Sequence, residues 1–186
     1  EVPEALHKDE GVREETTKEI LSQLKPAFKP DGVITAGNSS QISDGAAALL
    51  LVSEDILNKF NLEPVAKIKS MAVVGTDPVL MLSGPIPATR KALDQAKLKP
   101  EDINLAEINE AFSSVVGAWR KEFPEINYEN VNANGGSIAI GHPLGATGAR
   151  LMTNLIHEMK RNKLKYGLQA ICEGGGTANA TIVELV

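Results

Sequence analysis

The spacing of apolar residues along the chain predicts a series of amphipathic helices. Apolar positions that recur every three to four residues place one apolar face on each helix and leave the opposite face polar. From this pattern we expect helices over residues 16–24, 54–60, 85–97, 112–119 and 152–159. Basic residues over 161–165 suit the C-terminal end of the last of these helices.

Between the helices, runs of apolar and β-branched residues predict strands. Such runs cover residues 46–52, 65–74, 103–108, 168–172 and 178–185. The continuous run 46–52 is typical of a buried strand. Three glycines separate the last two strands, and this favours an antiparallel hairpin. The alternation predicts an α/β fold class, with a mixed β-sheet covered by helices.

Composition narrows the classes of function. The chain has 186 residues, 42% of them hydrophobic, which is enough for a compact core, and its net charge is −5. The acidic balance argues against a nucleic-acid partner, and the longest apolar run is too short to span a membrane. A single cysteine and three scattered histidines predict neither a disulfide nor a metal site. We expect a cytoplasmic location.

The beginning of the chain has no initiating methionine and no basic or apolar leader. We therefore expect the chain to start in the middle of a longer protein. Residues 1–32 are polar and charged, which predicts a peripheral segment.

His142 is the strongest candidate for chemistry. Five glycines surround it, at positions 135, 136, 141, 145 and 148. Glycine permits positive φ and a close approach to the backbone, so this cluster indicates that a substrate comes near the histidine. A phosphate-binding turn is the alternative, but the spacing and the Lys-Ser/Thr pair of a P-loop are missing.

Two further polar residues follow predicted strands. Asn109 comes after the strand 103–108, and Cys172 precedes the glycines 174–176. Open α/β sheets place their chemistry at strand ends of this kind. Taken alone, Asn109 is explained as a helix N-cap and Cys172 as a small buried residue.

Three motifs together resemble the C-terminal signature blocks of thiolases. They are Asn-Glu-Ala-Phe at 109–112, Gly-Gly-x4-Gly-His-Pro-x-Gly-x2-Gly at 135–148, and Cys-x-Gly-Gly-Gly at 172–176. The segments 36–48 and 84–88 are similar to two further blocks of that family. The five blocks occur in family order, so we identify the chain as a member of the thiolase family.

The resemblance implies an acyl-CoA C-acetyltransferase of fatty acid and lipid metabolism. It cleaves a 3-oxoacyl-CoA with coenzyme A, or condenses two acyl-CoA molecules in the reverse Claisen reaction. His142 matches the histidine that activates the nucleophile, and Asn109 matches the asparagine that holds a water in an oxyanion hole. Cys172 matches the cysteine that moves a proton, at a pKa that a nearby imidazole could bring near working pH, and the Gly174 backbone N–H matches an oxyanion-hole donor.

Coenzyme A and its acyl thioesters are the substrates that this resemblance implies, with no covalently bound cofactor. Ser40 matches a serine that contacts pantetheine, Ala36 lies near it, and Met81 matches a residue lining the acyl pocket. Arg13 is a candidate for the nucleotide end. Each of these residues also has a purely structural alternative. Ser40 is then a turn residue, Met81 fills the core, and Arg13 is a solvated surface charge.

The family's nucleophilic cysteine has no counterpart in the chain, because the single cysteine matches the other catalytic position. We therefore expect residues 1–32 to end a loop domain and residues 33–186 to form a C-terminal domain. The N-terminal half would then be a missing partner of this chain. We expect the intact protein to be a homo-oligomer and this fragment alone to be inactive. A ketoacyl synthase and a non-catalytic acyl-CoA-binding or scaffold subunit are the alternative functions.

Overall fold

A computed structural model describes residues 8–186 of the chain. Residues 1–7, which begin the predicted peripheral segment, lie outside this range. The α-helices in the described part are α1 (Lys18–Ser22), α2 (Glu54–Phe60), α3 (Pro85–Ala96), α4 (Ser113–Glu122), α5 (Ser137–Ile140) and α6 (Thr147–Asn162). The strands are β1 (Ala66–Gly75), β2 (Leu105–Ile108), β3 (Tyr166–Cys172) and β4 (Thr177–Leu185).

The four strands form one mixed sheet in the order β1-β4-β3-β2. Strand β4 is antiparallel to both β1 and β3, and β2 is parallel to β3. The predicted α/β class and the hairpin are therefore confirmed. Since β2 and β3 are parallel, their C-terminal ends lie at the same edge of the sheet, where Ile108 pairs with Ala170.

Helices cover both faces of the sheet. Alternate residues of each strand point to opposite faces, so neighbouring residues belong to different cores. Ala106 and Ile182 belong to the core formed with α3 and α4. Their neighbours Leu105 and Val183 belong to a second core formed with α6. The sheet thus lies between two helical layers.

Helix α6 is held by a row of buried side chains at four-residue spacing. The row consists of Thr147, Leu151, Leu155 and Met159. The helix lies so close to the sheet that a Cβ at Gly167 would come within 3.0 Å of the Leu155 side chain. Burial of each large apolar side chain in this row contributes roughly 1.5–3 kcal/mol.

The predicted strand over residues 46–52 is wrong. This segment has no regular secondary structure, and Leu50 and Leu51 are 81% and 72% exposed. A strand needs a neighbouring strand to pair its backbone groups. None of the strands within residues 8–186 lies beside this segment, so its apolar sequence is not sufficient to make it part of the sheet.

The five predicted helices are confirmed, with shifted boundaries, and α6 begins five residues before the predicted residue 152. Helix α1 is shorter than the predicted 16–24, and the Thr17 hydroxyl accepts a hydrogen bond from Ile20 N at its start. Helix α4 begins with Phe112 as its N-cap residue. The helices within residues 8–186 include none with the length and apolarity that a membrane span requires.

Candidate active site

The glycine-rich loop that carries His142 lies against residues 41–43. The His142 N–H donates a hydrogen bond of 2.7 Å to the Gln41 carbonyl oxygen. Gly141 precedes it with φ of 85°, a conformation that favours glycine. A Cβ at Gly141 would also overlap the Ser43 side chain. The loop is therefore built to bring its backbone close to this neighbouring segment.

Hydrogen bonds determine which ring nitrogen of His142 carries a proton. Nδ1 lies 2.7 Å from Thr147 Oγ1, and the Thr147 hydroxyl donates to the Pro143 carbonyl oxygen at 3.0 Å. With the single hydrogen of the Thr147 hydroxyl donated to Pro143, Thr147 accepts from His142 and Nδ1 carries the proton. The lone pair of the ring is consequently on Nε2, which can accept a proton from a reacting group.

His142 is also held in its neutral form. Burial lowers the pKa of the imidazole, and the positive charge of Arg150 lowers it further. A neutral imidazole with a free Nε2 lone pair has the state that a general base needs at neutral pH.

Asn109 lies one residue beyond β2 and is almost completely buried, with 1% of its surface exposed. Its N–H donates to the Ala170 carbonyl oxygen of the neighbouring strand at 2.9 Å. Its side-chain Oδ1 accepts a hydrogen bond of 2.7 Å from Ser137 Oγ. Because α4 begins four residues later, Asn109 is not the N-cap of that helix, which was one interpretation of the sequence.

Cys172 ends β3 and is 8% exposed. Burial raises the pKa of its thiol, while the Asn109 side chain and backbone groups of Cys172 and Ala111 act in the opposite direction. We expected a nearby imidazole to bring this pKa close to working pH. The shift of this pKa is upward instead, because burial is its largest cause and the charge of Glu173 adds to it.

A glycine turn, Gly174–Gly176, follows Cys172. Gly175 and Gly176 have φ of 73° and 86°. The Gly176 carbonyl oxygen accepts from the Thr76 N–H at 2.7 Å, which fixes the end of the turn. Gly174 is exposed, and a Cβ there would meet nothing within 4 Å, so a ligand could approach its backbone freely.

Glu110 connects the segment 109–112 to the glycine loop. Its carboxylate accepts hydrogen bonds from Asn132 Nδ2 at 3.0 Å and from the Ile138 N–H at 2.9 Å. A Cβ at Gly136 would overlap this carboxylate, which explains the glycine at that position. Glu110 therefore has a clear structural role at the site.

Of the four predicted substrate-binding residues, Ser40 has a direct backbone contact with this site. The Ser40 N–H donates to the Ala111 carbonyl oxygen at 3.1 Å, so Ser40 borders the segment 109–112. Ala36 is exposed in a short 3-10 turn, and Arg13 is exposed ahead of α1. Met81 is half-buried, with φ of 24°, in the loop that follows Thr76.

Sequence reasoning missed four polar residues in and beside the site. Ser137 and Thr147 are buried, and Arg150 donates through Nη2 to Ser137 Oγ at 3.2 Å. A fourth, Glu107, is fully buried in β2. Two features of the sequence could have indicated these residues. One is a Glu in an otherwise apolar predicted strand, and the other is the presence of polar residues at the start of an amphipathic helix.

An open depression of about 400 Å³ lies beside the histidine loop, between residues 43–47 and 143–146. It adjoins the segments that carry Ser40 and His142. Among residues 8–186, no cluster of three or more His, Cys, Asp or Glu side chains could hold a metal ion.

Comparison with known proteins identifies the family. The sequence model described as "Thiolase, C-terminal domain" matches residues 62–185. The chain belongs to the thiolase family. A second model, "Thiolase, N-terminal domain", matches residues 2–55 of this thiolase chain.

Curated relatives carry thiolase names. The chain is 52% identical over 176 residues to "Steroid 3-ketoacyl-CoA thiolase FadA6" of Mycobacterium tuberculosis, covering 95% of this chain and 42% of that protein. It is 50% identical over 177 residues to the "3-ketoacyl-CoA thiolase" of Bacillus subtilis, covering 95% and 45%. The thiolase chain thus spans slightly less than half the length of these relatives.

Solved thiolase structures share the fold. The acetyl-CoA acetyltransferase of Bacillus anthracis superposes with a TM-score of 0.91 at 45% identity, over 96% of this chain and 45% of that one. Human mitochondrial 3-ketoacyl-CoA thiolase in complex with CoA superposes with a TM-score of 0.86 at 38% identity, over 96% of this chain and 45% of that one. The thiolase-like fold expected from the sequence motifs is therefore confirmed.

Proposed function

We propose that this chain supplies the base and the proton donor of an acyl-CoA C-acetyltransferase. The reaction is the thiolytic cleavage of a 3-oxoacyl-CoA by coenzyme A, or the reverse Claisen condensation. Relatives named 3-ketoacyl-CoA thiolase support this reaction. The nucleophile is then a cysteine outside this chain, because the single cysteine takes another role, and the chain alone is inactive.

The observation that carries the proposal is the contact of 2.7 Å between His142 Nδ1 and Thr147 Oγ1, which leaves Nε2 free to accept a proton. Thr147 holds the proton on Nδ1, and burial keeps the ring neutral. In the proposed reaction Nε2 takes the proton of the nucleophilic thiol, and the resulting thiolate attacks the C3 carbonyl carbon of the substrate. Asn109 binds a water that completes an oxyanion hole with His142.

Cys172 acts as the proton donor in the cleavage direction. When the C2–C3 bond breaks, its electron pair remains on C2 of the departing acetyl-CoA, and the Cys172 thiol delivers a proton to that carbon. The acyl group stays on the nucleophilic sulfur as a thioester, until the thiol of coenzyme A attacks it, transfers its proton to the Cys172 thiolate and leaves with the acyl group. Burial raises the pKa of this thiol and so favours the protonated form that cleavage requires. The Gly174 N–H stabilises the negative charge that develops on the thioester oxygen.

The acyl-CoA substrate is proposed to lie along the depression beside the histidine loop. Ser40 contacts pantetheine, with Ala36 near it, and Met81 lines the acyl pocket. Arg13 contacts the nucleotide end. The backbone contact between Ser40 and Ala111 supports the first of these assignments, because it places Ser40 beside the catalytic segment.

The proposed setting is a cytoplasmic homo-oligomer in fatty acid metabolism. Met71 and Val73 on β1 are 63% and 65% exposed, which supports a covering partner surface in the intact protein. Residues 1–32 are proposed to end a loop domain and residues 33–186 to form the C-terminal domain. The two family matches meet between residues 55 and 62, and the boundary at residue 32 stays a prediction.

The full-length gene product tests the proposal after brief incubation with acetyl-CoA and analysis of its peptides by mass spectrometry. We expect an acetyl adduct on a cysteine upstream of this chain. His142→Gln should lose the adduct, because no base remains to ionise the nucleophile. His157→Gln is the matched control, since His157 is exposed on α6.

The outcomes separate the candidate functions. An adduct that depends on His142 but not on His157 supports the acetyltransferase. Absence of an adduct on any cysteine would contradict it and would favour the acyl-CoA-binding or scaffold alternative.

A further inference from the structure

A chain of hydrogen bonds links α6 to the buried end of β2. Arg150 Nη2 donates to Ser137 Oγ at 3.2 Å, and Ser137 Oγ donates to Asn109 Oδ1 at 2.7 Å. Ser137 is 0% and Asn109 1% exposed, so water does not compete for these bonds. The Asn109 side chain is in turn one of the groups that favour the thiolate of Cys172.

The direction of every bond in this chain is determined. A guanidinium group has only donors, so Ser137 accepts from Arg150 and has its single hydrogen free for Asn109. Oδ1 of Asn109 is thereby held toward Ser137. The amide NH₂ group must then point away from Ser137, and it is the only part of the side chain that can donate to sulfur.

We propose that Arg150 and Ser137 form a relay that fixes the Asn109 amide at the shared C-terminal edge of β2 and β3, with its NH₂ group turned to the end of β3 that carries Cys172. Both are positioning residues, because they act through Asn109 and touch no reacting atom. The effect of Arg150 and Ser137 on proton transfer by Cys172 rests on the proposed function. The orientation itself does not, and it can be measured in this chain alone.

Buried Glu107 does not compete with Ser137 for hydrogen bonds from Arg150. Neither of its carboxyl oxygens has a hydrogen-bond partner within residues 8–186, although it lies within electrostatic range of Arg150. Burial raises the pKa of Glu107 to about 8, so the group is mostly neutral at neutral pH. Burial lowers the pKa of Arg150, while the charges of Glu107 and Glu110 act in the opposite direction.

The test measures the thiolate titration of Cys172 by ultraviolet absorbance, with Cys172→Ser as the blank. Since the chain has one cysteine, the difference reports on that thiol alone. Ser137→Ala and Arg150→Met should each lower the thiolate fraction at about pH 8 by about threefold, because Asn109 is then free to turn its NH₂ group away. The double variant should show no further loss, since both residues act through the same amide.

Arg161→Met is the matched control. Arg161 lies on the same helix, and its partner is Glu158 at the surface, so its removal should leave the titration unchanged. Arg150→Lys should restore part of the wild-type titration, because an ammonium group is also a donor without acceptors. Fluorescence of Trp119 establishes that each variant is folded, and Ser137→Ala, which removes one oxygen, carries the test if Arg150→Met does not fold.

Unchanged titration in the folded Ser137→Ala variant would overturn the relay, as would losses that multiply in the double variant. The result is independent of the acetyl-adduct experiment. A normal adduct with an unchanged titration would reject the relay alone. A threefold loss without any adduct would reject the proposed enzyme and retain the relay.

Discussion

The Nδ1 atom of His142 lies 2.7 Å from the Oγ1 atom of Thr147, five residues further along the chain. Thr147 is the first residue of α6, and its own hydroxyl donates back to Pro143. The start of a helix thus provides the hydrogen-bond partner of the candidate base. This role explains why a polar residue occupies the first position of the buried row on α6.

Replacement of the Thr147 hydroxyl should allow the His142 ring to adopt either neutral tautomer. In Thr147→Val, which has nearly the same shape, Nδ1 loses its acceptor, and we expect a mixture of both neutral tautomers of His142. Two-bond ¹H–¹⁵N correlation spectra of the imidazole measure this directly. Thr153→Val is the control, because Thr153 binds only the Ala149 carbonyl on the same helix. A single Nδ1-protonated form in Thr147→Val would contradict the role of Thr147.

Glu107 should make the stability of the fold depend on pH. Its pKa is raised from 4.5 to about 8 in the folded state, so the unfolded chain loses this proton at lower pH than the folded chain does. The contribution of Glu107 to the free energy of unfolding is therefore most favourable below about pH 4.5. It decreases as the pH rises to about 8, by a few kcal/mol.

Glu107→Gln removes this dependence, because an amide does not titrate. Relative to wild type, we expect the variant to gain stability at about pH 8 and to gain much less at about pH 4.5. Urea unfolding at several pH values, followed by Trp119 fluorescence, measures the difference. Glu101→Gln at the surface is the control. A constant difference between Glu107→Gln and wild type across this range would contradict the raised pKa.

Gly136 should be intolerant of even one added carbon. A Cβ there would overlap the Glu110 carboxylate and displace it from the Ile138 N–H. We expect Gly136→Ala to lower the free energy of unfolding by about 1–3 kcal/mol. Gly117→Ala in α4 has open space and should be neutral or stabilising by up to about 1 kcal/mol. Equal effects of the two substitutions, measured by urea unfolding, would exclude the steric explanation.

The buried contact between Thr89 and Trp119 should contribute to stability through its hydrogen bond. Trp119 Nε1 donates to Thr89 Oγ1 at 2.9 Å, and both residues are at most 1% exposed. Thr89→Val preserves the shape but leaves the indole N–H without a partner, which should cost about 1–3 kcal/mol. Thermal unfolding by calorimetry measures the loss. Thr89→Ser retains the hydroxyl, and if it lost as much as Thr89→Val, the hydrogen bond would not be the cause.

Helices and paired strands were predicted well because their signals are local. The row along α6 and the β-branched hairpin strands show the periods of their structures in the sequence itself. The segment 46–52 has an equally clear apolar run, yet it forms no strand. Its state depends on whether another strand lies beside it, which no local pattern records.

The sequence by itself determined the residue types of the candidate site and the order of its motifs. His142, Asn109 and Cys172 were found because glycines and strand ends mark them along the chain. Only the tertiary structure decided how these groups are held and charged. Ser137, Thr147 and Arg150 act on them through hydrogen bonds across the fold, and burial sets the pKa of Cys172. Such effects depend on distance in space, because hydrogen bonds and desolvation act between atoms that the folded chain brings together.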